Sequence, residues 1–286
     1  MNLFKKAALL KELKKDAKNE IRISYRLPEG DIPVCASKIG GRPAVPQDFV
    51  WPEYIGEEYG GETKSRPLSF MAQINLKDAA HYDKEGILPK TGVLSFFYEM
   101  VTMKWGFDPD DKGCARVFYF PDESALAPVD LPESIDEDMI VPELEIDFEK
   151  HISIPVDKYV YSDDYEYEDC EECFEELGYE PDDMGDVTKL LGYPDVIQNP
   201  MEEECETVTR GYYQGGPEDS KKISQAEKDD IKEKASQWTL LFQMGTVEAD
   251  EKEIMFGDCG HIYFWIKKSD LAEHNFDNIW LILQCG

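Results

Sequence analysis

The sequence has few of the residues that build common catalytic and anion-binding sites. It contains four histidines, no Gly-x-Ser-x-Gly nucleophile elbow, and no glycine-rich loop that runs into Lys and Ser or Thr at a helix start. Lysine and arginine number 30 against 61 acidic residues, and the formal net charge is −31. Such a field repels nucleic acid and anionic membranes. We therefore expect neither partner, and we favour a binding protein over an enzyme.

Long hydrophobic runs are also missing. No stretch approaches the roughly 20 apolar residues of a membrane span. Residues 1–21 mix lysine with leucine and alanine but contain no signal-peptide core or cleavage site. Seven cysteines, an odd number scattered over 286 residues, argue against a disulfide framework. We expect a cytoplasmic protein.

The closest pair of cysteines, Cys170 and Cys173, has the spacing of a zinc knuckle or a redox pair. A zinc site needs two further ligands, and Cys205, His151 and Cys259 form no second close pair. Acidic neighbours raise a thiol pKa, which is unfavourable for a redox centre. We therefore favour two cysteines on one turn of a surface segment, and predict neither a metal nor a cofactor.

Negative charge is concentrated in one region. Residues 121–186 contain 25 acidic residues and two lysines, a net charge of −23, and the other 220 residues carry only −8. Within this region, residues 157–186 hold 14 acids interleaved with six aromatic residues. The aromatic content gives this acidic stretch enough apolar area to lie against another surface.

Three sequence elements occur twice in the same order. Residues 38–43 (KIGGRP) are echoed by residues 189–194 (KLLGYP), residues 68–74 (LSFMAQI) by residues 240–244 (LLFQM), and residues 92–98 (GVLSFFY) by residues 260–266 (GHIYFWI). A repeated order of this kind indicates two related halves that share a core.

These patterns predict an α+β fold of mostly antiparallel strands with an internal duplication. We expect one domain over residues 1–286, with half-repeats at about 22–120 and 187–286, an acidic connecting region at 121–186, and an amphipathic N-terminal helix over residues 3–19. Prolines and glycines in residues 37–52 predict neither helix nor central strand. Residues 186–191 are predicted to be helical.

Two functions from different classes fit the sequence. The first is a non-enzymatic protein-binding module, of the immunity or antitoxin type, for a basic partner. Acidic residues steer such a partner and tyrosines anchor it. The candidate residues are Asp163, Asp164, Tyr165, Glu166, Tyr167, Glu168 and Asp169.

The alternative is a small-molecule-binding protein or enzyme with a site between the half-repeats. Its candidate lining is Arg42, Trp51, Gln73, Asn75, Gln243, Asp258 and Trp265. Gln73 and Gln243 are polar residues inside apolar strands at equivalent points of the repeat. The competing interpretation, which we favour, is that both amides satisfy buried backbone groups. A third interpretation is that the acidic stretch only keeps the protein soluble.

Several blocks resemble the YwqG-like family of bacterial proteins. They are Gly40-Gly41-x-Pro43, Trp51-Pro52, residues 67–76 (PLSFMAQINL), residues 88–97 (LPKTGVLSFF), Trp238-x-Leu240-Leu241-x-Gln243, residues 257–266 (GDCGHIYFWI) and Gln284-Cys285. The resemblance, from about residue 37 to the C-terminus, implies a cytoplasmic, β-rich α+β fold with no established reaction. It also implies an association with toxin–immunity neighbourhoods, and it supplies no catalytic residues. The chain departs from the family pattern at Met244 and Gly245 and in the acidic stretch.

Overall fold

The structure of the chain is a computed structural model. It describes residues 3–57, 61–162, 164–179, 187–216 and 219–286. Within these ranges, no helix has both the length and the apolar content needed to cross a bilayer.

The fold is built on a ten-stranded antiparallel sheet, as the predicted fold class requires. In spatial order its strands are β16 (Trp280–Gln284), β15 (His261–Lys267), β12 (Trp238–Met244), β11 (Thr188–Leu191), β1 (Lys18–Arg26), β10 (Leu144–Ser153), β2 (Lys38–Ile39), β6 (Ser69–Asn75), β7 (Val93–Tyr98) and β8 (Ala115–Phe120). β1 and β10 pair over nine residues each at the centre, and this pair of strands joins the two flanking groups of four strands.

Three two-stranded ribbons, seven α-helices and four short 3-10 helices accompany the sheet in the described chain. The ribbons pair β3 (Ala44–Pro46) with β9 (Leu126–Pro128), β4 (Glu53–Glu57) with β5 (Thr63–Pro67), and β13 (Val247–Ala249) with β14 (Lys252–Ile254). The helices are α1 (Leu3–Asp16), α2 (Leu76–Ala79), α3 (Val156–Val160), α4 (Tyr167–Glu176), α5 (Glu202–Thr209), α6 (Gln225–Ala235) and α7 (Lys268–Ala272).

The sheet coils so that strands distant in its order pack together. The ring of Phe96 on β7 lies 4.5 Å from that of Phe242 on β12 and 5.3 Å from that of Phe264 on β15, measured between centroids. Five strands separate β7 from β12 in the sheet. These contacts form the main hydrophobic core, and they bring the two flanking groups of strands face to face.

The N-terminal helix is confirmed, although it ends at Asp16, and Lys18 and Asn19 belong to β1. Two predictions for the repeated lysine segments are wrong. Lys38 and Ile39 form a short strand inside the sheet, between β10 and β6, because the prolines and paired glycines lie outside this dipeptide. Thr188–Leu191 is a buried strand and not a helix. Lys189, which by residue type is expected to face solvent, is only 1% exposed in this strand.

Each repeated lysine is buried against a carboxylate. Lys189 Nζ lies 3.0 Å from Glu20 Oε2, with both side chains 1% exposed, and 2.7 Å from Asp195 Oδ2. Lys38 Nζ lies 2.5 Å from Glu143 Oε1, whose side chain is 43% exposed. A buried ion must be paired because its desolvation is costly. These pairs therefore fix the position of β11 and β2 beside the central strands.

We predict that Lys189→Met destabilises the fold by about 3 kcal/mol, because Glu20 stays buried with only Arg22 to compensate its charge. The matched variant Lys38→Met should cost about 1 kcal/mol, because water can solvate Glu143. Urea unfolding midpoints measure both. Equal losses in the two variants would contradict this account.

Candidate functional site

A cleft of about 890 Å³ opens where the two flanking groups of strands meet. Its walls come from the start of β1, the loop at residues 85–91, Tyr119 of β8, the end of β11 and helix α7. The lining is mostly apolar and includes Ile87, Leu88, Leu191 and Leu271. Its size is within the usual range for a small-molecule site.

The charged residues of the cleft are mainly basic. Lys18, Lys90, Lys268 and His274 line it together with one carboxylate, Glu85. Because the whole chain carries −31, this local excess of positive charge is opposite in sign to the protein's net field.

Lys18 is the most enclosed of these cations. Its Nζ lies 3.9 Å from the centroid of the Tyr193 ring, a cation–π contact. Burial lowers the pKa of the Lys18 ammonium, and the nearby charge of Lys268 lowers this pKa further. Within the described part of the chain, no carboxylate forms a salt bridge with Lys18. The charges of Glu202 and Glu85 oppose part of this lowering of the pKa. The ammonium is thus partly desolvated without a directly paired carboxylate.

Backbone contacts of β1 hold the loop at the cleft's edge. The Asn19 amide donates to Glu85 Oε1 at 3.0 Å, and Asn19 Oδ1 accepts from the Lys84 amide at 2.7 Å. Asp83 accepts the amides of Gly86 and Leu88 at 2.9 and 2.8 Å. These bonds hold residues 83–88, which precede Lys90 at the edge of the cleft.

The end of β11 adopts a left-handed backbone at the cleft wall. Leu191 has φ +61° although it is a buried leucine, and Gly192 follows with φ +78°. A non-glycine residue in this conformation costs about 1–2 kcal/mol. A Cβ on Gly192 would lie 2.8 Å from Glu20 Cβ and from Ser153 Oγ. The turn therefore combines backbone strain with close packing on β1 and β10.

The two strand glutamines do not face the cleft. Gln73 Oε1 accepts the Ala44 amide at 2.9 Å, and its Nε2 donates to the carbonyls of Val34 and Ala36 at 2.8 and 2.7 Å. Gln243 Oε1 accepts the Asp195 amide at 2.9 Å, and its Nε2 donates to the Val187 carbonyl and to Asp195 Oδ2. Both amides are 0% exposed and serve backbone groups.

The other five predicted lining residues are dispersed. Trp51 Nε1 donates to the Leu68 carbonyl, Asn75 caps α2, and Arg42 pairs with Asp130 on the surface. Asp258 is exposed, and Trp265 is buried in a separate cluster with Trp238 and Trp280. The structure does not bring the seven residues together, and none of them lines the cleft. Sequence reasoning missed Lys18, Lys90, Lys268 and His274 because nothing in their spacing links them.

The acidic and tyrosine-rich stretch packs on the N-terminal helix. α3 and α4 bury Tyr159, Cys170, Cys173 and Phe174 against Leu9 and Leu13 of α1. Lys6 pairs with Glu172 and Glu176, Lys158 pairs with Asp16, and Lys5 lies 5.4 Å from the centroid of the Tyr165 ring. Part of the acidic surface is thus neutralised within the chain.

The remaining residues predicted for partner binding have different surroundings. Asp164, Glu166, Tyr167 and Glu168 are exposed, and Asp169 is half-buried. Asp163 lies outside the described residues. Tyr167 is 53% exposed on α4, so one aromatic and three carboxylates remain open to solvent.

Cys170 and Cys173 face the interface between α1 and α4. Both are 0% exposed, and burial raises the pKa of both thiols. Among the described residues, no group of three or more His, Cys, Asp or Glu side chains is placed to hold a metal ion.

Residues 37–285 match the model of a family described as a domain of unknown function, DUF1963. The chain therefore belongs to this family. A search of curated proteins found no match.

We predict that Gly192→Ala costs about 3 kcal/mol of stability, because the left-handed backbone and the contact with Glu20 and Ser153 both oppose a Cβ. Gly86→Ala should cost about 1 kcal/mol: Gly86 has φ +63° with no atom within 4 Å of a Cβ. Thermal unfolding compares the two variants. A Gly192→Ala protein as stable as Gly86→Ala would refute the close packing.

Proposed function

We propose that this protein binds a small organic anion in the cleft between its two groups of flanking strands. The observation that carries the proposal is the sign of the local charge. Three lysines and His274 surround a cleft with one carboxylate, in a protein whose net charge is −31.

Lys18 supplies the chemical argument for an anion. A half-buried ammonium that forms no salt bridge with the described carboxylates has lost hydration without gaining an ion pair. An acidic group of a ligand beside Lys18 and Lys268 supplies this ion pair. The same event returns the pKa of Lys18 toward its ordinary value, because opposite charge favours the protonated amine.

The apolar walls add a second requirement. Leu88, Leu191 and Leu271 offer hydrophobic surface next to the lysines. A ligand that has an apolar body and one acidic group fills both environments, and it gains about 25 cal/mol for each Å² of apolar surface removed from water. We therefore infer an amphipathic carboxylate or phosphate.

We also propose that the two halves arose by duplication. Gln73 and Gln243 each accept a backbone amide six residues after the lysine that begins segments 38–43 and 189–194. β6 and β12 each carry a register shift, at Phe70/Ala72 and Leu240/Phe242. These matched contacts support a common origin for the halves. The ten-stranded sheet, to which both halves contribute strands, supports one domain over residues 1–286.

Protein binding through the acidic surface is a second candidate. The exposed Tyr167, with Glu168 and Glu171 beside it on α4, is the observation that favours it. Such a surface suits a basic partner, as in an immunity protein. The cytoplasmic location, the bacterial origin and the finer YwqG-like assignment remain predictions.

The anion proposal predicts a preference between two ligands of nearly equal shape. Calorimetry should show 1-naphthylacetate binding at least tenfold more tightly than 1-naphthylacetamide, because only the carboxylate pairs with Lys18. Lys18→Met should remove this preference. Lys232→Met, an exposed lysine on α6, should leave it unchanged.

A cleft-filling variant provides the control for location. Ala272→Trp places an indole at the mouth of the cleft and should weaken both probes. If it changes neither affinity, the probes bind elsewhere and the proposal fails.

The second candidate predicts capture of a basic protein from the host extract at low salt. Tyr167→Ser combined with Glu168→Gln should abolish capture, because both the anchor and the steering charge are lost. Glu233→Gln, at an exposed residue of α6, is the matched surface control. Capture that is insensitive to the α4 substitutions would count against this role.

A further inference from the structure

A second cavity, of about 500 Å³, lies between the start of α5, strand β16 and residues 105–107. Gly106 fixes one wall of this cavity. Its φ is +87°, and a Cβ there would lie 1.9 Å from the Leu281 carbonyl oxygen. Trp280 Nε1 donates to the Gly106 carbonyl at 2.8 Å, and the Leu283 amide donates to the Trp105 carbonyl at 3.0 Å.

This backbone contact presents two aromatic side chains to the cavity. Trp105 and Phe107 both line it, with ring centroids 6.4 Å apart. Tyr213 packs edge-on against Phe107 at 5.6 Å. Trp105 is 37% exposed and Tyr213 is 41% exposed, so the cluster is accessible to a ligand. The π-faces of aromatic rings attract cations.

The charged groups of the cavity are carboxylates. Glu203 and Glu204 of α5 line it, and none of the described residues that line it is basic. Glu203 and Glu204 lie in the first turn of α5, and their two carboxylates exceed the partial positive charge of a helix N-terminus. The cavity therefore combines aromatic rings with excess negative charge.

Glu204 is the enclosed member of the pair. Burial raises its pKa to about 7. Glu203 is the other ionisable side chain that lines the cavity. Charged groups on the neighbouring elements form salt bridges with residues other than Glu204. Asp230 of α6 pairs with Arg210 at 2.7 Å, and Lys267 of β15 pairs with Glu206 at 2.9 Å. β12, β16 and residues 105–107 contain no ionisable side chain.

We propose that this cavity binds a small organic cation of the quaternary ammonium class, held by the Trp105 and Phe107 rings and by the carboxylate of Glu204. A diffuse, weakly hydrated cation suits aromatic faces better than a compact metal ion does. The site is separate from the anion-binding cleft, with which it shares no lining residue.

The test compares choline with its uncharged analogue 3,3-dimethylbutan-1-ol by calorimetry on the full chain. Choline should bind at least tenfold more tightly. Glu204→Gln should reduce choline affinity at least fivefold and leave the alcohol unaffected. Glu202→Gln, on the same helix but outside the cavity lining, is the control. Circular dichroism checks that both variants fold.

A pH series on the unmodified protein is independent of any variant. Choline pairs with ionised Glu204, and a pKa of about 7 leaves roughly a tenth of this group ionised at about pH 6. Choline affinity should therefore rise about tenfold from about pH 6 to about pH 8. Equal affinity for choline and the alcohol, no detectable choline binding, or an affinity independent of pH would overturn the proposal.

Discussion

The packing of Phe96 against Phe242 and Phe264 is the contact on which the rest of the structure depends. It joins β7 to β12 and β15, which are separated from β7 by five and six strands of the sheet, so the sheet must coil. The coil brings Tyr119, on the edge strand β8, within 5.6 Å of the His274 ring beyond α7. The anion cleft lies between β8 and α7. For that reason residues that are distant in sequence, such as Lys18 and Lys268, line it together.

Local charge, rather than net charge, determines what each surface can bind. The cleft is basic, the cavity at α5 is acidic, and α4 is partly neutralised by Lys6 of α1. Screening limits surface electrostatics to about 8–10 Å at physiological ionic strength. A protein of net charge −31 can therefore attract an anion at one site and a cation at another. The condition is that charged residues of the appropriate sign lie within the site itself.

The sequence predicted much of the fold but little of the site. The repeated apolar segments predicted a mostly antiparallel fold. The matched positions of Gln73 and Gln243 favoured a role for their amides in satisfying backbone groups, and this role is observed. β11 was missed because Lys189 looks like a surface residue, and its counter-charge Glu20 is distant in sequence. The cleft was not predicted because it forms only in the folded chain. Lys18 and Lys268 lie close enough for their charges to interact, but no local sequence pattern connects them.

The most direct test of the anion-binding account is a ¹H–¹⁵N NMR titration of the intact protein with 1-naphthylacetate. Progressive shifts should concentrate at residues 18–19, 85–91, 191–192 and 268–274, which line the cleft. The same titration with 1-naphthylacetamide should move these signals much less. Shifts that map to another surface, or equal shifts with both compounds, would contradict an anion site in this cleft.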